Sequence, residues 1–368
     1  MSALTVSKEE MMLLLNEWYQ EIREQNIQKS SQLKDEISRK IQQMEIDPTQ
    51  TLFIYYSLLE LRQQLLVDHL KQADKAIQRI NTIDQPTDDF LAYYYHFFKA
   101  QHFTIIGSYS DACIHFEKAE ALLALVPDEV EKAEFHYKVA NYYYHVRQPV
   151  LAIHYAKKAK EFFEGQYGYD LNVAACQNVL GLAYTLLKQF KEAEVNFLSA
   201  LNTVQKMNQE QRAVLIRYNL GLLYSEQQNQ SEAAISFLEK VYEKRFKLHK
   251  TAFLLAREYY KTNKKDAASH FIEEGLKHCR AANNEEYRFH FHILAAFHYA
   301  HQDDLELESA IKEGISYFER EELWGYVQDY SEQLAEHFYT KGNYEKSSDY
   351  FHLAFVAKQK LLEKGVVG

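Results

Sequence analysis

The chain is poor in the residues that punctuate sheets and tight loops. Its 368 residues include 11 glycines and 4 prolines. That is too few for the turns of a sheet protein or a dinucleotide-binding fold, and it points to helices joined by short loops. The three cysteines, Cys113, Cys176 and Cys279, lie far apart with no CxxC pair, which excludes an even disulfide framework and fits a reducing compartment. Positive charge is in deficit: 42 Lys and Arg against 52 Asp and Glu give a net charge of −10. Such a surface repels nucleic acid and anionic lipid, so neither is an expected partner. No apolar run approaches the ~18 residues that span a bilayer. The N-terminus, MSALTVSKEEMMLLLNEW, carries acids before its apolar run instead of the basic region of a signal peptide. The expected location is cytoplasmic. Phosphate-cradling glycine loops, nucleophile elbows and Cys/His nucleophile pairs are missing, so nothing resembles a self-contained active site.

What is present is a repeat. Apolar residues make up 47% and charged residues 26%, ample for a core. Leu180-Gly181-Leu-Ala-Tyr184 is followed by Ala193, Phe197 and Ala200, and forty residues later Leu220-Gly221-Leu-Leu-Tyr224 is followed by Ala233 and Phe237. This is the tetratricopeptide (TPR) signature. The glycine lets helix A approach helix B, the small residue marks their crossing, and the aromatics fill the space beside it. Further copies contain Gly107, Ala112 and Phe116; Tyr143, Ala152 and Ala156; Tyr259, Ala268, Ile272 and Gly275; and Gly342, Ser347 and Phe351. A degenerate copy occupies about 285–320. About seven helix pairs are expected over 89–368, several longer than the usual ~34 residues. Each pair leaves an apolar face that its neighbour must cover.

The first 72 residues do not fit this template. Ser7-Lys-Glu-Glu10 reads as a capping box opening a helix with Leu13, Leu14, Leu15, Trp18 and Ile22. A second helical pattern runs from about 28 to 45, and Asp47-Pro48 breaks it. A third carries Leu52, Tyr55, Tyr56, Leu59 and Leu66. The expected fold is therefore all-α: a three-helix bundle over 1–72, a linker over 73–88, and a TPR superhelix.

Leu15-Asn-Glu-Trp-Tyr19, Tyr55-Tyr-Ser-Leu-Leu-Glu-Leu-Arg62, and Glu131-Lys-Ala-Glu-Phe135 followed by Tyr142-Tyr-Tyr144 together resemble the Rap proteins, Bacillus-type regulators of response regulators. The resemblance covers essentially the whole chain in order. It implies binding of a response regulator through the bundle. The consequence is either dephosphorylation of an aspartyl-phosphate in a sporulation phosphorelay, or non-enzymatic sequestration of the DNA-binding domain of a competence regulator. It also implies inhibition by a re-imported oligopeptide of the quorum-sensing (Phr) type, bound in the TPR groove, which moves the bundle. An aspartyl-phosphate is already activated, so its hydrolysis needs water held in line and charge stabilised at phosphorus. The Mg²⁺ is expected on the response regulator, and no cofactor on this chain.

The resemblance places a water-orienting carboxamide at Gln50, with Glu45 and Asp47 as response-regulator contacts. The family typically has a tight acidic loop of E-E-D-Q-D type here. This chain reads Glu45-Ile-Asp47-Pro48-Thr-Gln50-Thr, about two residues longer and with a proline. Asp47 as N-cap, Pro48 at N1 and Gln50 at N3 also form a plain capping arrangement for the third helix.

In a TPR array helix A lines the concave face. Taking Gly181 and Gly221 as the eighth repeat position puts Asn178 at the fifth and Asn219 at the sixth; taking Ala140 and Ala256 as the eighth puts Asn141 and Arg257 at the ninth. Carboxamides clamp an extended peptide backbone because each both donates and accepts, and Asn is a poor helix former. Asn219 also resembles the family's peptide-anchoring Asn. Leu186 stands where relatives that bind a basic peptide residue place an acid. His298-x-x-His301 could share a helix face, but no acid-flanked metal pattern surrounds it, so no metal site is expected.

Overall fold

A computed structural model describes residues 7–42, 51–67, 70–81, 88–299 and 304–366. Every regular element among them is an α-helix, and the fold is all-α. The chain divides into two compact units, 1–189 and 190–367.

The first unit opens with α1 (Lys8–Arg23), α2 (Ile27–Gln42) and α3 (Thr51–Leu66), which pack mutually. Ser7 caps α1, its hydroxyl accepting from the Glu10 N–H at 3.1 Å. Helix α3 is apolar or buried on almost every side, with Leu52, Tyr55, Leu58, Leu59 and Leu61 inside, as befits a helix surrounded by others. Residues 73–81 of the segment read as a linker are helical, in α4 (Leu70–Asn81), which packs on α3 and inserts Ala76, Ile77 and Ile80 into the core. Then come α5 (Asp89–Ile106), α6 (Tyr109–Leu123), α7 (Glu129–His145), α8 (Pro149–Glu164) and α9 (Asp170–Leu186). One hydrophobic core runs from Met11, Leu15, Trp18 and Ile22 of α1 through α3 to Tyr93, Phe97 and Phe98 of α5 and Phe135 of α7. The N-terminal helices are thus part of the core of the first helical pairs. Each such aromatic contributes roughly 2–3 kcal/mol by leaving water.

The second unit holds α10 (Phe190–Lys206), α11 (Glu210–Ser225), α12 (Ser231–Glu243), α13 (Leu248–Lys261), α14 (Lys265–Ala282), α15 (Glu285–Tyr299), α16 (Asp304–Arg320), α17 (Trp324–Thr340) and α18 (Tyr344–Val366). From α5 to α18 the described residues contain fourteen helices.

The small residues the repeat pattern picks out, Ala112, Ala152, Ala193 and Ala268, are fully buried, and Ser347 nearly so. The repeat at Gly221 differs. There Ala234, Ile235 and Leu238 are buried and Ala233 is only half-buried, one residue later than the template places the crossing. The cause is loop length: residues 226–230 connect α11 to α12 where residues 187–189 connect α9 to α10, so α12 starts one position later relative to its glycine. Gly221 does permit close approach, since an added Cβ would lie 2.6 Å from Leu238. Gly275 is tighter, its absent Cβ falling 1.9 Å from the Phe291 ring.

Short loops without glycine have a backbone signature. The residue that turns the chain between helices sits at positive φ, and Arg147, Lys188, Asn208, Asn229, Asn263 and Glu322 hold that position. Gly107, at φ +80, is a glycine used for this purpose.

Candidate functional site

Two groupings of polar side chains stand out, one in each unit. In the first, the opening turns of α7 present two buried acids, Glu131 and Glu134, to helices α1, α3 and α5. Asp128, the N-cap of α7, accepts from the Val130 N–H at 2.9 Å and also pairs with Arg23 of α1. Glu131 is wholly buried. It accepts from the hydroxyls of Tyr19 at 2.5 Å and Tyr93 at 3.0 Å, with Arg23 Nη1 3.7 Å away. Burial pushes its carboxyl up to about 7, against the pull of Arg23 and the two phenols. Glu134, three residues on, is just as buried. It accepts from Arg62 Nη2 of α3 at 2.8 Å, with Lys138 Nζ at 3.5 Å. Burial works to raise this carboxyl too, but Lys138 and Arg62 override it and hold it below the usual carboxylate value. The Tyr19 and Tyr93 hydroxyls are raised well above the ordinary phenol range, first by burial and then by the charge of Glu131. Neutral phenols on an acid and guanidinium groups on its neighbours tie α1 and α3 to α7. Asn172 of α9 adds a hydrogen bond to the Arg23 carbonyl at 3.2 Å.

The sequence-selected residues of this unit lie close to that cluster or apart from it. Asn141 of α7 is half-buried and lines a small cleft of about 50 Å³ with Arg62, Gln101, Phe116 and Lys138, so it faces helices α3 and α5. Asn178 is half-buried on α9. Glu45, Asp47 and Gln50 lie outside the described residues, as do His301 and the side chain of His298. Among the described residues no group of three or more His, Cys, Asp or Glu side chains is arranged to hold a metal.

In the second unit, Arg257 of α13 is pinned in place. Its Nη2 donates to Ser225 Oγ at 2.9 Å and its Nε to Glu258 Oε1 at 3.2 Å, with Glu226 3.4 Å away. Lys261 reinforces this rim, donating to Glu258 at 2.8 Å and to the Ser225 carbonyl at 2.9 Å. Behind the rim opens a cavity of about 350 Å³ between α13, α15 and α17. Its wall is largely aromatic: Phe253, Tyr260, Tyr287, His290, Phe297, Tyr326 and Tyr330, with Asp329 and Gln333 of α17 also lining it. His290 is buried and shares a 2.7 Å hydrogen bond with the Tyr330 hydroxyl, and burial lowers its pKa, so the ring is neutral at physiological pH. Asn219 of α11 is buried, at 6% exposure.

The sequence reading singled out Arg257 but not the pocket beside it. The signal was there as aromatics at helical spacing on successive A helices: Phe253 and Tyr260, Tyr287, His290 and Phe297, Tyr326 and Tyr330. Aromatic stripes of this kind ordinarily fill a core, and only the packing shows that these border open space. No helix among the described residues is long and apolar enough to cross a membrane.

Known proteins resemble this chain in sequence and fold. Residues 5–68 match the family described as response regulator aspartate phosphatase H, N terminal. The chain is 28% identical to the regulatory protein RapF of Bacillus subtilis (strain 168), over 96% of this chain and 95% of that one. It is equally similar, 28%, to response regulator aspartate phosphatase H of the same organism, over 95% of each. A crystal structure of a Rap protein complexed with competence and sporulation factor superposes with a TM-score of 0.82 at 25% identity, covering 97% of this chain and 99% of that one.

Proposed function

Because this chain belongs to the Rap family, we propose that it regulates a response regulator through its N-terminal helices, hydrolysing the regulator's aspartyl-phosphate, and that a short signalling oligopeptide bound on its helical repeats switches it off. The observation that carries the peptide half is the pocket of α13, α15 and α17: aromatic walls of one or two side chains' volume beside a guanidinium fixed by Ser225 and Glu258. An apolar peptide side chain buries itself there and Arg257 takes a backbone carbonyl, the usual division between burial and orientation in a ligand site. Asn219 supplies a carboxamide to the peptide backbone.

The phosphatase half rests on residues 5–68, the stretch in which the chain matches a response regulator aspartate phosphatase. In this scheme the regulator brings the phosphoaspartate and its Mg²⁺, and Gln50 orients a water. The water attacks phosphorus, the bond from phosphorus to the aspartate oxygen breaks, and carboxylate and inorganic phosphate leave. Glu45 and Asp47 flank Gln50 as contacts.

One feature of the chain favours a second reading, in which it sequesters a regulator's DNA-binding domain without chemistry. Pro48 and the longer residues 45–51 suit a helix cap as well as a catalytic loop. The two separate on one experiment, with a response regulator labelled on its aspartyl-phosphate and catalytic amounts of this protein. Release of many phosphates per molecule, abolished by Gln50→Ala while binding persists, is the expected result. Stoichiometric inhibition indifferent to Gln50 identifies the sequestering protein. Asn219→Ala and Arg257→Ala are expected to leave turnover intact and make it insensitive to peptide.

A further inference from the structure

We propose that docking of α1 against α5 and α7 is proton-linked, with Glu131 the group that takes up the proton. The geometry singles it out. Three carboxylates and three cations meet at this junction, yet the hydrogen bonds are unevenly shared. Asp128 takes Arg23 directly and Glu134 takes Arg62 directly, at 2.8 Å. Glu131, with no exposed surface, accepts from two phenols, and its nearest cation, Arg23, stands 3.7 Å away.

Besides Arg62 and Lys138, which pair with Glu134, the helices around Glu131 bring seven titratable or charged groups to it. Helix α1 contributes Tyr19 and Arg23, α3 contributes Tyr55, α5 contributes Tyr93 and Tyr94, and α7 itself contributes Asp128 and Glu134. Four of these seven are neutral phenols; the hydroxyls of Tyr19 and Tyr93 donate to Glu131, while that of Tyr55 donates to Asn16 at 3.2 Å. A protonated Glu131 donates to the oxygen of Tyr19 or Tyr93, which accepts in place of donating, whereas the ionised carboxylate is left wholly buried with its nearest cation 3.7 Å away.

Undocking α1 exposes Glu131 to water and returns it to the ordinary carboxyl value of 4.5, whereas the docked carboxyl titrates at about 7. The docked state holds a proton that the undocked state gives up between those values. Docking is thus strongest at and below the lower value, weakens as pH rises through the window, and above about 7 carries the full cost of a buried charge. This concerns the packing of α1 alone, and neither a response regulator nor a peptide enters its test.

The test is hydrogen exchange of the full chain at pH 6 and pH 8, with rates converted to protection factors so that intrinsic chemistry cancels. In the native protein the factors over 8–23 are expected to fall by about tenfold between pH 6 and pH 8, while those over 248–340 stay level. In Glu131→Gln, which is isosteric with the protonated acid, the fall disappears. Level factors over 8–23 in the native protein, or an undiminished fall in Glu131→Gln, overturn the proposal. Should Glu131→Gln lose its helical circular dichroism, Tyr93→Phe decides the matter. It removes a donor that favours the ionised carboxyl, so the midpoint of the fall moves to higher pH; an unmoved midpoint overturns the proposal equally.

Discussion

Two buried carboxylates, one in each unit, have opposite fates. Glu131 of α7 and Glu308 of α16 both accept from tyrosine hydroxyls, Tyr19 and Tyr93 in one case and Tyr350, at 2.7 Å, in the other. Glu308 also takes two ammonium groups, Lys346 at 2.6 Å and Lys312 at 2.8 Å. Burial works to raise it, but the hydrogen bonds from Lys312, Lys346 and Tyr350 bring its carboxyl down to about 2, while Glu131 is pushed up to about 7. Burial alone does not set the charge of an acid; the number of cationic donors that reach it does. In the second unit Glu308 is pinned by flexible lysines whose tips reach water. The first fixes its acids with arginines and phenols inside a core, where each group depends on its partner.

Removing one partner in each unit gives the largest expected contrast. Arg62→Ala leaves Glu134 buried with only Lys138 beside it, and denaturant unfolding is expected to show a loss of about 3–5 kcal/mol. Lys312→Ala removes one of two ammonium groups from Glu308 and is expected to cost under about 1 kcal/mol in the same measurement. Equal losses would break the contrast. Next in size is Gly275→Ala. An exposed helical site gains from this change, but here the new methyl meets the Phe291 ring, and overpacking is expected to cost about 1–3 kcal/mol. Glu308 sharpens the comparison by pH. Its depressed value means that its contribution is fully present above the ordinary 4.5 and fades as pH falls toward about 2. Stability measured across that window should fall less steeply in Glu308→Gln than in the native protein. The smallest expected effect is Lys264→Ala, which breaks a pair with Glu232 at 2.9 Å between largely exposed side chains and is expected to shift stability by under about 0.5 kcal/mol.

Much of the fold was legible because TPR packing depends on a few small residues at fixed spacing. Ala112, Ala152, Ala193, Ala268 and Ser347 were read from the chain and are buried. The reading slipped by one residue at Ala233, where loop length rather than helix pattern sets the register. Helix α4 escaped because Pro86 and polar residues around it suggested a connector, while its apolar face of Ala76, Ile77 and Ile80 matters only against α3. The charged junction of Arg23, Arg62, Glu131 and Glu134 was invisible for a different reason. Arg23 and Glu131 are more than a hundred residues apart in sequence, and a charged residue on a helix ordinarily faces water. Arg62, Glu131 and Glu134 sit inside the very segments that carry the family resemblance, and Arg23 four residues past one of them, yet nothing in a single sequence says that they touch.

Gly275 and Phe291 carry a consequence for anyone who treats such arrays as interchangeable parts. The ring from α15 occupies the space where α14 lacks a side chain, so the two residues form one joint across the boundary between successive repeats. A duplication, deletion or graft that cuts between them separates a ring from the hollow made for it. Engineered or natural recombinants should therefore tolerate joins elsewhere in the array more readily than a join here, and a chain that changes one of this pair is expected to change the other.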